Sequence, residues 1–317
     1  MAIYLVTGGA GFIGSNIVKE LLVRGEQVRV LDNFSTGKRE NLFPFKENPD
    51  LEVFEGDLRS FHIVRDAVKG VDYVLHQGAL PSVPRSVKDP ITSNDVNING
   101  TLNVLEASKE FGVKRVVFAS SSSVYGNSEV MPKVETMPVA PLSPYALTKY
   151  TGERYCQIYY QLYGLETVAL RYFNVFGPNQ DPTSQYSAVI PKFIKMMKEG
   201  KRPVIYGDGT QSRDFTYVSN NVEANILACT AHGVAGEVFN IACGERYTLI
   251  ELVDSINQLI GKNIEPIFQK ERPGDVKHSL AGIEKAQIIL GFKVAKKFNE
   301  GLKMIIKYLQ KDYLRIN

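Results

Sequence analysis

Two side chains four residues apart are suited to moving a proton. Tyr145 and Lys149 follow Ser143 and Pro144, which are typical of a helix N-cap and first helical position, so both would lie on one helix face. A phenol with a pKa of about 10 is a poor base, and lowering its pKa to about 7 takes roughly 4 kcal/mol of charge stabilisation. A desolvated ammonium one turn away favours the phenolate. The pair therefore predicts a proton-transfer site.

A run of four serines, Ser120 to Ser123, directly follows a predicted buried strand over 115–119. Ligands of parallel α/β folds bind at the carboxyl ends of the strands, where such a run would lie. A serine there can hydrogen-bond to both a substrate hydroxyl and the phenol of Tyr145. Alone the run would indicate a polar β-turn, but together with Tyr145 and Lys149 it favours an active site.

A glycine-rich loop follows the first predicted strand. Gly9, Gly11 and Gly14 satisfy the GxGxxG pattern before a predicted helix over 13–24, an arrangement that brings backbone N–H groups towards a pyrophosphate. Asp32 ends the second predicted strand, where a carboxylate accepts from a ribose 2′-hydroxyl and repels a 2′-phosphate. The spacing predicts NAD rather than NADP, with a turn-forming aspartate as the alternative and Lys38 and Arg39 as nearby cations.

These groups require a parallel sheet to bring them together. Apolar runs over 27–31, 51–54, 72–76 and 115–119 alternate with helical patterns over 61–69, which Ser60 would cap, and 91–111. Such alternation predicts the α/β class, with a Rossmann-type doubly wound parallel sheet and a smaller α/β substrate-binding domain. We expect an NAD-binding domain at 1–175, with about 215–245 returning to it, and a mainly substrate-binding domain at 176–317. The second domain would thus be interleaved with the first.

Two later helices have clear start signals or patterns. Thr248 and Glu251 have the spacing of a capping box, and a C-terminal helix is predicted after Asn299.

Composition excludes several classes of function. The 317 residues carry a net charge of +3, too small to indicate nucleic-acid or membrane-surface binding. The beginning of the chain resembles neither a signal peptide nor a membrane span, so a cytoplasmic location is expected. The three cysteines and four histidines are dispersed without metal-binding spacing, which predicts reduced thiols and no metal site.

Several separated motifs together resemble the extended short-chain dehydrogenase/reductase (SDR) family. They are Thr7 to Gly14, Asp57-Leu58, His76 to Ala79, Asn97, the serine run, Tyr145 with Lys149, and Arg171 to Asn174. Within that family the chain resembles the nucleotide-sugar 4-epimerases over nearly its full length, and most closely the UDP-N-acetylglucosamine 4-epimerase branch.

The resemblance implies a transient oxidation. Tyr145 would take the proton of the sugar 4-hydroxyl while the hydride at C4 passes to NAD, and the 4-keto sugar would turn before reduction on its other face. Ser121 would be the hydrogen-bonding partner of Tyr145, with Ser122 and Ser123 as helpers, and Lys149 would lower the phenol pKa and bind the nicotinamide ribose. The implied cofactor-binding residues are Gly8, Gly11, Phe12, Ile13, Gly14, Asp32, Asn33, Ser35, Thr36, Gly37, Asp57, Leu58, Gln77, Gly78, Ala79, Asn97, Tyr145, Lys149 and Tyr172.

The same resemblance implies a UDP-sugar pocket. Small side chains at Ala188 and Ser279 would leave room for a 2-acetamido group, although such a pocket also admits plain hexoses. A lysine found near the cofactor in galactose-type epimerases is replaced by Pro81, which removes one expected nicotinamide contact. The implied substrate-binding residues are Ser82, Ser121, Ser122, Tyr145, Asn174, Ala188, Val189, Tyr206, Arg213, Arg272, Asp275 and Ser279.

The expected activity is interconversion of UDP-GlcNAc and UDP-GalNAc, with activity on UDP-Glc and UDP-Gal as well. One alternative is an epimerase strictly for non-acetylated sugars. Another is a nucleotide-sugar 4,6-dehydratase, disfavoured because Ser122 and Ser123 supply no carboxylate. A third, from a different class, is a non-catalytic NAD-binding sensor, which would be expected to lose Tyr145 or Lys149. Long helices over 91–111 and 145–163 resemble those that pair in homodimers of the family.

Overall fold

The computed structural model describes residues 1–181, 189–271 and 277–316, with side chains described as far as residue 310. Strands of this structure have the following bounds: β1 Ile3–Thr7, β2 Gln27–Asp32, β3 Leu51–Glu55, β4 Tyr73–His76, β5 Arg115–Ser121, β6 Thr167–Tyr172, β7 Val175–Phe176, β8 Val204–Tyr206, β9 Ser212–Arg213, β10 Thr216–Tyr217, β11 Val238–Ile241, β12 Tyr247–Thr248 and β13 Ile267–Gln269.

The α-helices lie between these strands and at the end of the described chain. They are α1 Phe12–Val23, α2 Phe61–Val68, α3 Val83–Lys88, α4 Pro90–Asn94, α5 Gly100–Glu110, α6 Pro144–Tyr163, α7 Val189–Lys198, α8 Val218–Thr230, α9 Leu249–Ile260 and α10 Phe298–Ile316.

Seven strands form one parallel sheet in the order β11-β6-β5-β4-β1-β2-β3. Its central strands are buried, because one face packs against α1 and α8 and the other against α2, α5 and α6. The order reverses between β1 and β4, which in such folds opens a crevice for a ligand at the carboxyl ends of the strands. The prediction of a Rossmann-type doubly wound sheet is confirmed.

Later parts of the chain divide between the large sheet and a second core. β11 pairs with β6, and buried residues of α8 pack on the same sheet. The second core is formed by side chains of α7, α9 and α10 with Phe176, Phe215 and Tyr217. Three two-stranded sheets, β7 with β10, β8 with β13 and β9 with β12, lie in this part of the chain. In the sequence, β11 of the large sheet thus lies between α7 and α9 of the second core.

The capping predictions have different outcomes. Ser143 accepts a hydrogen bond from the backbone N–H of Ala146, and the capping box between Thr248 and Glu251 is present. Ser60 does stand at the N-cap of α2, but its side chain does not cap the helix, so that prediction is wrong. Its hydroxyl instead lies 3.1 Å from Nδ1 of His62, which draws it away from the backbone N–H groups.

The predicted helix over 91–111 is not a regular α-helix throughout. A π-helical turn, Asp95–Asn99, lies between α4 and α5, with a backbone hydrogen bond from Gly100 to the carbonyl of Asp95. Such turns are frequent at functional sites because the extra residue changes which side chains face inward. Here the turn contains the buried side chain of Asn97.

All three cysteines are free and buried. Among the described residues there is no group of acidic, histidine or cysteine side chains able to hold a metal. None of the helices in the described part of the chain is long and apolar enough to cross a membrane.

Candidate active site

Helix α6 places its proton-transfer pair beside the end of β5. The capped N-terminus of α6 fixes the start of the helix, so Tyr145 and Lys149 lie on consecutive turns of one face. Nζ of Lys149 donates to the carbonyl of Ala119 at 2.8 Å and lies 5.9 Å from the ring centroid of Tyr145. The phenol of Tyr145 interacts with the side chain of Ser121. The structure therefore brings Ser121, Tyr145 and Lys149 together.

The environment acts differently on the two titrating groups. Burial lowers the pKa of Lys149 to about 8, because an ammonium is disfavoured away from water. Burial raises the pKa of Tyr145, and the neighbouring hydroxyl of Ser121 opposes that change only in part. The lowering of the phenol pKa by Lys149 that the resemblance implies therefore stays a prediction for the assembled site.

The serines at the end of β5 have different hydrogen-bond partners. The hydroxyl of Ser123 donates to Oγ of Ser121 at 2.9 Å, whereas Ser120 is buried and donates to Glu153. Glu153 also forms a buried ion pair with Arg171 at 2.8 and 2.9 Å. Glu153 lies two turns of α6 beyond Tyr145, and its bonds to Ser120 and Arg171 hold the helix against β5 and β6.

The glycine loop between β1 and α1 has the shape of a backbone cradle. Gly8 has a φ of +65°, and a Cβ there would lie 2.7 Å from Cα of Gly78. A Cβ on Gly14 would lie 2.2 Å from the carbonyl oxygen of Gly8, so both positions require glycine. On Gly11, by contrast, a Cβ would approach only that oxygen, at 3.1 Å, and would otherwise enter open space. The N-terminus of α1 has no side-chain cap, and its free N–H groups fit a pyrophosphate.

Asp32 has the turn-forming role that was one of the two predictions for it. Its two oxygens accept from the backbone N–H groups of Ala10 at 2.9 Å and Phe34 at 2.8 Å, which fixes the turns on either side. Each carboxylate oxygen has a further lone pair for a ribose hydroxyl. Burial raises the pKa of Asp32, although both backbone hydrogen bonds oppose that change. Arg39 is turned towards Glu55, at 2.6 Å, and stacks on Phe34.

The other predicted cofactor residues lie around the loop, but several side chains already have protein partners. Asp57 accepts from Asn33 at 2.9 Å and from Arg59, which holds the pKa of that carboxyl below its usual range. The hydroxyl of Tyr172 donates to Gln77 at 3.2 Å. The side-chain amide of Asn97 accepts from the backbone N–H of Leu80 and donates to its carbonyl oxygen. In this structure these side chains therefore fix the positions of neighbouring protein groups around the glycine loop.

The remaining predicted cofactor residues lie in short segments that follow the strands. They include Ser35, Thr36 and Gly37 after β2, Leu58 after β3, and Gly78 and Ala79 after β4. A Cβ on Gly37 would lie 2.8 Å from Oδ2 of Asp32, and one on Gly78 would lie 2.8 Å from Cδ1 of Leu58. Both glycines therefore allow close packing around the loop.

A cavity of about 320 Å³ lies beside β7, α7 and β8. It brings together Asn174, Val189, Tyr206 and Arg213, four of the predicted substrate residues. Asn174 has a φ of 33°, an uncommon value for a residue other than glycine that is typical of functional positions. Polar groups on an otherwise apolar wall are typical of a ligand site.

The predicted sugar-selecting residues are only partly described. Ser279 is buried, and its backbone N–H donates to the carbonyl of Ser212, next to Arg213. Ser82 starts α3 with a φ of 97° and accepts from the N–H of Arg85. Three predicted residues, Ala188, Arg272 and Asp275, lie outside the described residues.

The structure adds residues that sequence reasoning did not assign to the site. Gln211, Lys192 and Phe193 line the same cavity as Arg213. Glu153, four residues after Lys149, could have been found from the helical spacing that extends the face of Tyr145.

A phosphate-binding glycine loop and a serine, tyrosine and lysine at the carboxyl edge of one parallel sheet define a short-chain dehydrogenase/reductase. Comparison with known proteins makes that class more specific. Residues 4–242 match the family described as "NAD dependent epimerase/dehydratase family". The chain belongs to this family.

Solved structures and curated relatives agree with that assignment. A UDP-N-acetylglucosamine 4-epimerase from Methanobrevibacter ruminantium, in complex with UDP-N-acetylmuramic acid, is 43% identical, with a TM-score of 0.94 over 98% of this chain and 99% of that one. A UDP-glucose 4-epimerase from Thermus thermophilus in complex with NAD is 37% identical, with a TM-score of 0.86 over 97% and 99%. A UDP-glucuronate 4-epimerase from Thermodesulfobacterium geofontis is 35% identical over 98% of this chain and 97% of its own.

The protein is therefore an NAD-dependent isomerase of the nucleotide-sugar 4-epimerase group. NAD is its cofactor. The cradle at Gly11 and the uncapped start of α1 fit the pyrophosphate of that cofactor, and Asp32 fits its ribose.

Proposed function

We propose that this enzyme interconverts UDP-N-acetylglucosamine and UDP-N-acetylgalactosamine, with activity on UDP-glucose and UDP-galactose as well. The meeting of Ser121, Tyr145 and Lys149 at the end of β5 is the observation that carries the reaction. The acetylated sugar is favoured by the small side chain of Ser279 and by the likeness to the Methanobrevibacter ruminantium enzyme.

The chain's own residues account for the movement of the proton. Tyr145 removes the proton of the sugar 4-hydroxyl, and Ser121 hydrogen-bonds to the reacting oxygen and the phenol. When bound, NAD would supply the acceptor and then the donor of the hydride of sugar C4, together with the positive charge of its oxidised nicotinamide. Lys149 stays beside the phenolate because its ammonium is held by the carbonyl of Ala119. On return, Tyr145 gives the proton back to the oxygen at C4, so the net redox change is zero.

The cavity beside β7 and α7 would bind the nucleotide. Arg213 offers a planar guanidinium for diphosphate oxygens, and Asn174 offers an amide at the same cavity. Tyr206 and Phe193 supply aromatic surface for a base. Binding energy from this remote part would hold the sugar against Tyr145, which is how proximity contributes to rate.

Proton NMR of the purified enzyme with each UDP-sugar tests the proposed substrate directly. We expect the 4-epimer to form from UDP-N-acetylglucosamine and, more slowly, from UDP-glucose. Epimerisation of UDP-glucuronate alone would replace the proposed substrate, and a 4-keto-6-deoxy product would indicate a dehydratase. No 4-epimer from any of the three would refute the proposal.

The substitution Ser279→Tyr tests the proposed sugar selectivity. A bulky ring is expected to reduce activity on the acetylated sugar more than activity on UDP-glucose, because only the acetamido group needs the extra space. Ser279→Ala keeps the position small and serves as the matched control. An unchanged ratio of the two activities in a folded Ser279→Tyr protein would remove Ser279 from the determinants of selectivity.

We further propose a homodimer formed through α4 and α6. Ile91, Leu142 and Leu147 are 81%, 65% and 51% exposed and line one surface cavity of about 790 Å³. Exposed apolar patches of this kind mark interaction sites, and the helices resemble those that pair in dimers of the family. Leu147→Glu is expected to give monomers in light scattering, whereas the wild-type enzyme is dimeric at the same concentration. A monomeric wild-type enzyme would contradict this assembly.

A further inference from the structure

A series of buried polar groups runs from the glycine loop to the catalytic helix. The ring of His76 lies between two threonines, with Nδ1 2.7 Å from Oγ1 of Thr7 and Nε2 3.0 Å from Oγ1 of Thr101. The hydroxyl of Thr101 lies 2.6 Å from the carbonyl oxygen of Asn97. All four residues are at most 2% exposed, so each polar atom depends on these partners.

The direction of each hydrogen bond can be assigned because some of the groups can only accept and others can only donate. A carbonyl oxygen only accepts, so the Thr101 hydroxyl must donate to Asn97, and Oγ1 of Thr101 must accept from Nε2–H of His76. Neutral His76 then accepts at Nδ1 from the hydroxyl of Thr7. At the far end, the backbone N–H of Gly78 donates to Oγ1 of Thr7 at 3.0 Å, which agrees with that direction. The contacts thus select the tautomer with the proton on Nε2.

The series continues through the side chain of Asn97 to α6. Nδ2 of Asn97 donates to Oγ1 of Thr148 at 3.1 Å, and the Thr148 hydroxyl donates to the carbonyl oxygen of Tyr145 at 2.8 Å. The same amide of Asn97 bonds both backbone groups of Leu80, after β4. Hydrogen bonds of fixed direction therefore connect β1, β4, the π-helical turn, α5 and α6.

We propose that His76 is a positioning residue, held as the neutral Nε2–H tautomer, that couples the backbone of the glycine loop to the helix carrying Tyr145 and Lys149. The tautomer is a property of the folded chain. The effect on catalysis rests on the proposed role of Tyr145.

The surroundings of His76 favour a neutral ring. Burial and the ammonium of Lys149 hold the pKa of His76 at about 3, and the ring of Phe118 lies beside it, with centroids 5.7 Å apart. A charged imidazole would also donate from Nδ1, whereas the Thr7 hydroxyl donates to that nitrogen in the neutral form and would have to direct its proton elsewhere. His76 therefore transmits position without titrating near neutral pH.

Nitrogen-15 NMR of the NAD-loaded enzyme labelled at histidine tests the tautomer. We expect the His76 signals to show a protonated Nε2 and an unprotonated Nδ1, unchanged from pH 6 to pH 9. The exposed rings of His62 and His232 give reference signals in the same spectra, and His76→Gln identifies the signals by their loss. A proton on Nδ1, or protonation of both nitrogens within that range, would overturn the assignment.

Thr101→Val tests the coupling, with Thr101→Ser as the control that keeps the hydroxyl. In a folded Thr101→Val enzyme we expect NAD to dissociate about tenfold faster and kcat to fall about tenfold, since a tenfold change corresponds to about 1.4 kcal/mol, a typical hydrogen-bond contribution. Thr101→Ser should restore both. Unchanged NAD release and kcat in folded Thr101→Val would refute the coupling. If Thr101→Val does not fold, Thr148→Val removes a hydroxyl of the same series near Tyr145. An unchanged kcat in folded Thr148→Val would likewise refute the coupling.

Discussion

The carboxyl edge of the large sheet and the cavity beside α7 are built in different ways. At the sheet edge, the polar side chains are buried or half-buried and bonded to one another or to strand backbone, as with Lys149 on Ala119 and Ser120 on Glu153. The cavity collects side chains from short, separate segments, among them Asn174, Tyr206 and Arg213, and Asn174 and Arg213 also donate to backbone carbonyls. A long parallel sheet thus holds the proposed reacting groups, while short strands present the residues proposed to recognise the substrate.

This difference separates two kinds of functional loss. Changes at the sheet edge should reduce kcat, because they alter groups that we propose act on the reacting atoms. Changes in the cavity should act mainly through substrate binding. The following predictions test that separation.

Tyr145→Phe should have the largest effect. Loss of the phenol hydroxyl removes the proposed proton acceptor, and we expect kcat to fall by about 10²–10⁴-fold, the usual contribution of general acid–base catalysis. NAD should remain bound, because the cradle around Gly11 is unchanged. Turnover by the variant and its NAD content, measured on the same preparation, test this expectation; near-normal turnover would show that another group is the base.

The pH dependence of turnover should report Lys149. Since its pKa is lowered to about 8, the ammonium is present below that pH and is lost as the pH rises through it, so turnover should fall on the alkaline side. Lys149→Arg keeps its charge at high pH and should move this fall to higher pH at a reduced rate. Initial rates from pH 6 to pH 10 provide the test. An identical alkaline fall in Lys149→Arg would assign that limb to another group.

Arg213→Ala should raise KM about 10- to 100-fold with a smaller change in kcat, since hydrogen bonds to charged groups contribute about 1.5–3 kcal/mol. Arg24→Ala serves as the matched control, because it removes an arginine from an exposed salt bridge with Glu20, away from the cavity. Steady-state kinetics with the proposed UDP-sugar separate the two constants. A loss confined to kcat would place Arg213 with the catalytic groups instead.

The smallest effects should come from helix caps. Ser143→Ala and Thr248→Ala each remove an accepting hydroxyl and should cost about 1 kcal/mol of unfolding free energy. Ser60→Ala should change it little, because that hydroxyl does not cap α2. Only Ser143→Ala should also lower kcat, since α6 carries Tyr145. Urea unfolding and turnover of the three variants check this order, and equal losses for Ser60→Ala and Ser143→Ala would contradict it.

Much of the sheet edge was predictable because its signals are local. The glycine loop, the cap before Tyr145 and the four-residue spacing to Lys149 each lie within a few neighbouring residues. The connection of His76 to Thr7 and Thr101 spans 69 and 25 residues, and no local pattern specifies it. The π-helical turn at Asn97 also depends on contacts with Leu80 and Thr148 from other parts of the chain.

The cavity was predictable only through family resemblance, because its residues come from separate short segments. Val189 and Tyr206 have no spacing that joins them in the sequence. The division into an NAD-binding domain at 1–175 and an interleaved substrate-binding domain stays a prediction, although β11 and α8 do pack on the large sheet.

The fate of the hydrogen on sugar C4 tests the central claim most directly. UDP-N-acetylglucosamine carrying deuterium at C4 is incubated with the enzyme in ordinary water, and the product is analysed by NMR and mass spectrometry. We predict UDP-N-acetylgalactosamine that retains the deuterium at C4, because the hydrogen leaves and returns within the closed site. Product with the deuterium replaced by solvent hydrogen, or no 4-epimer at all, would contradict the account.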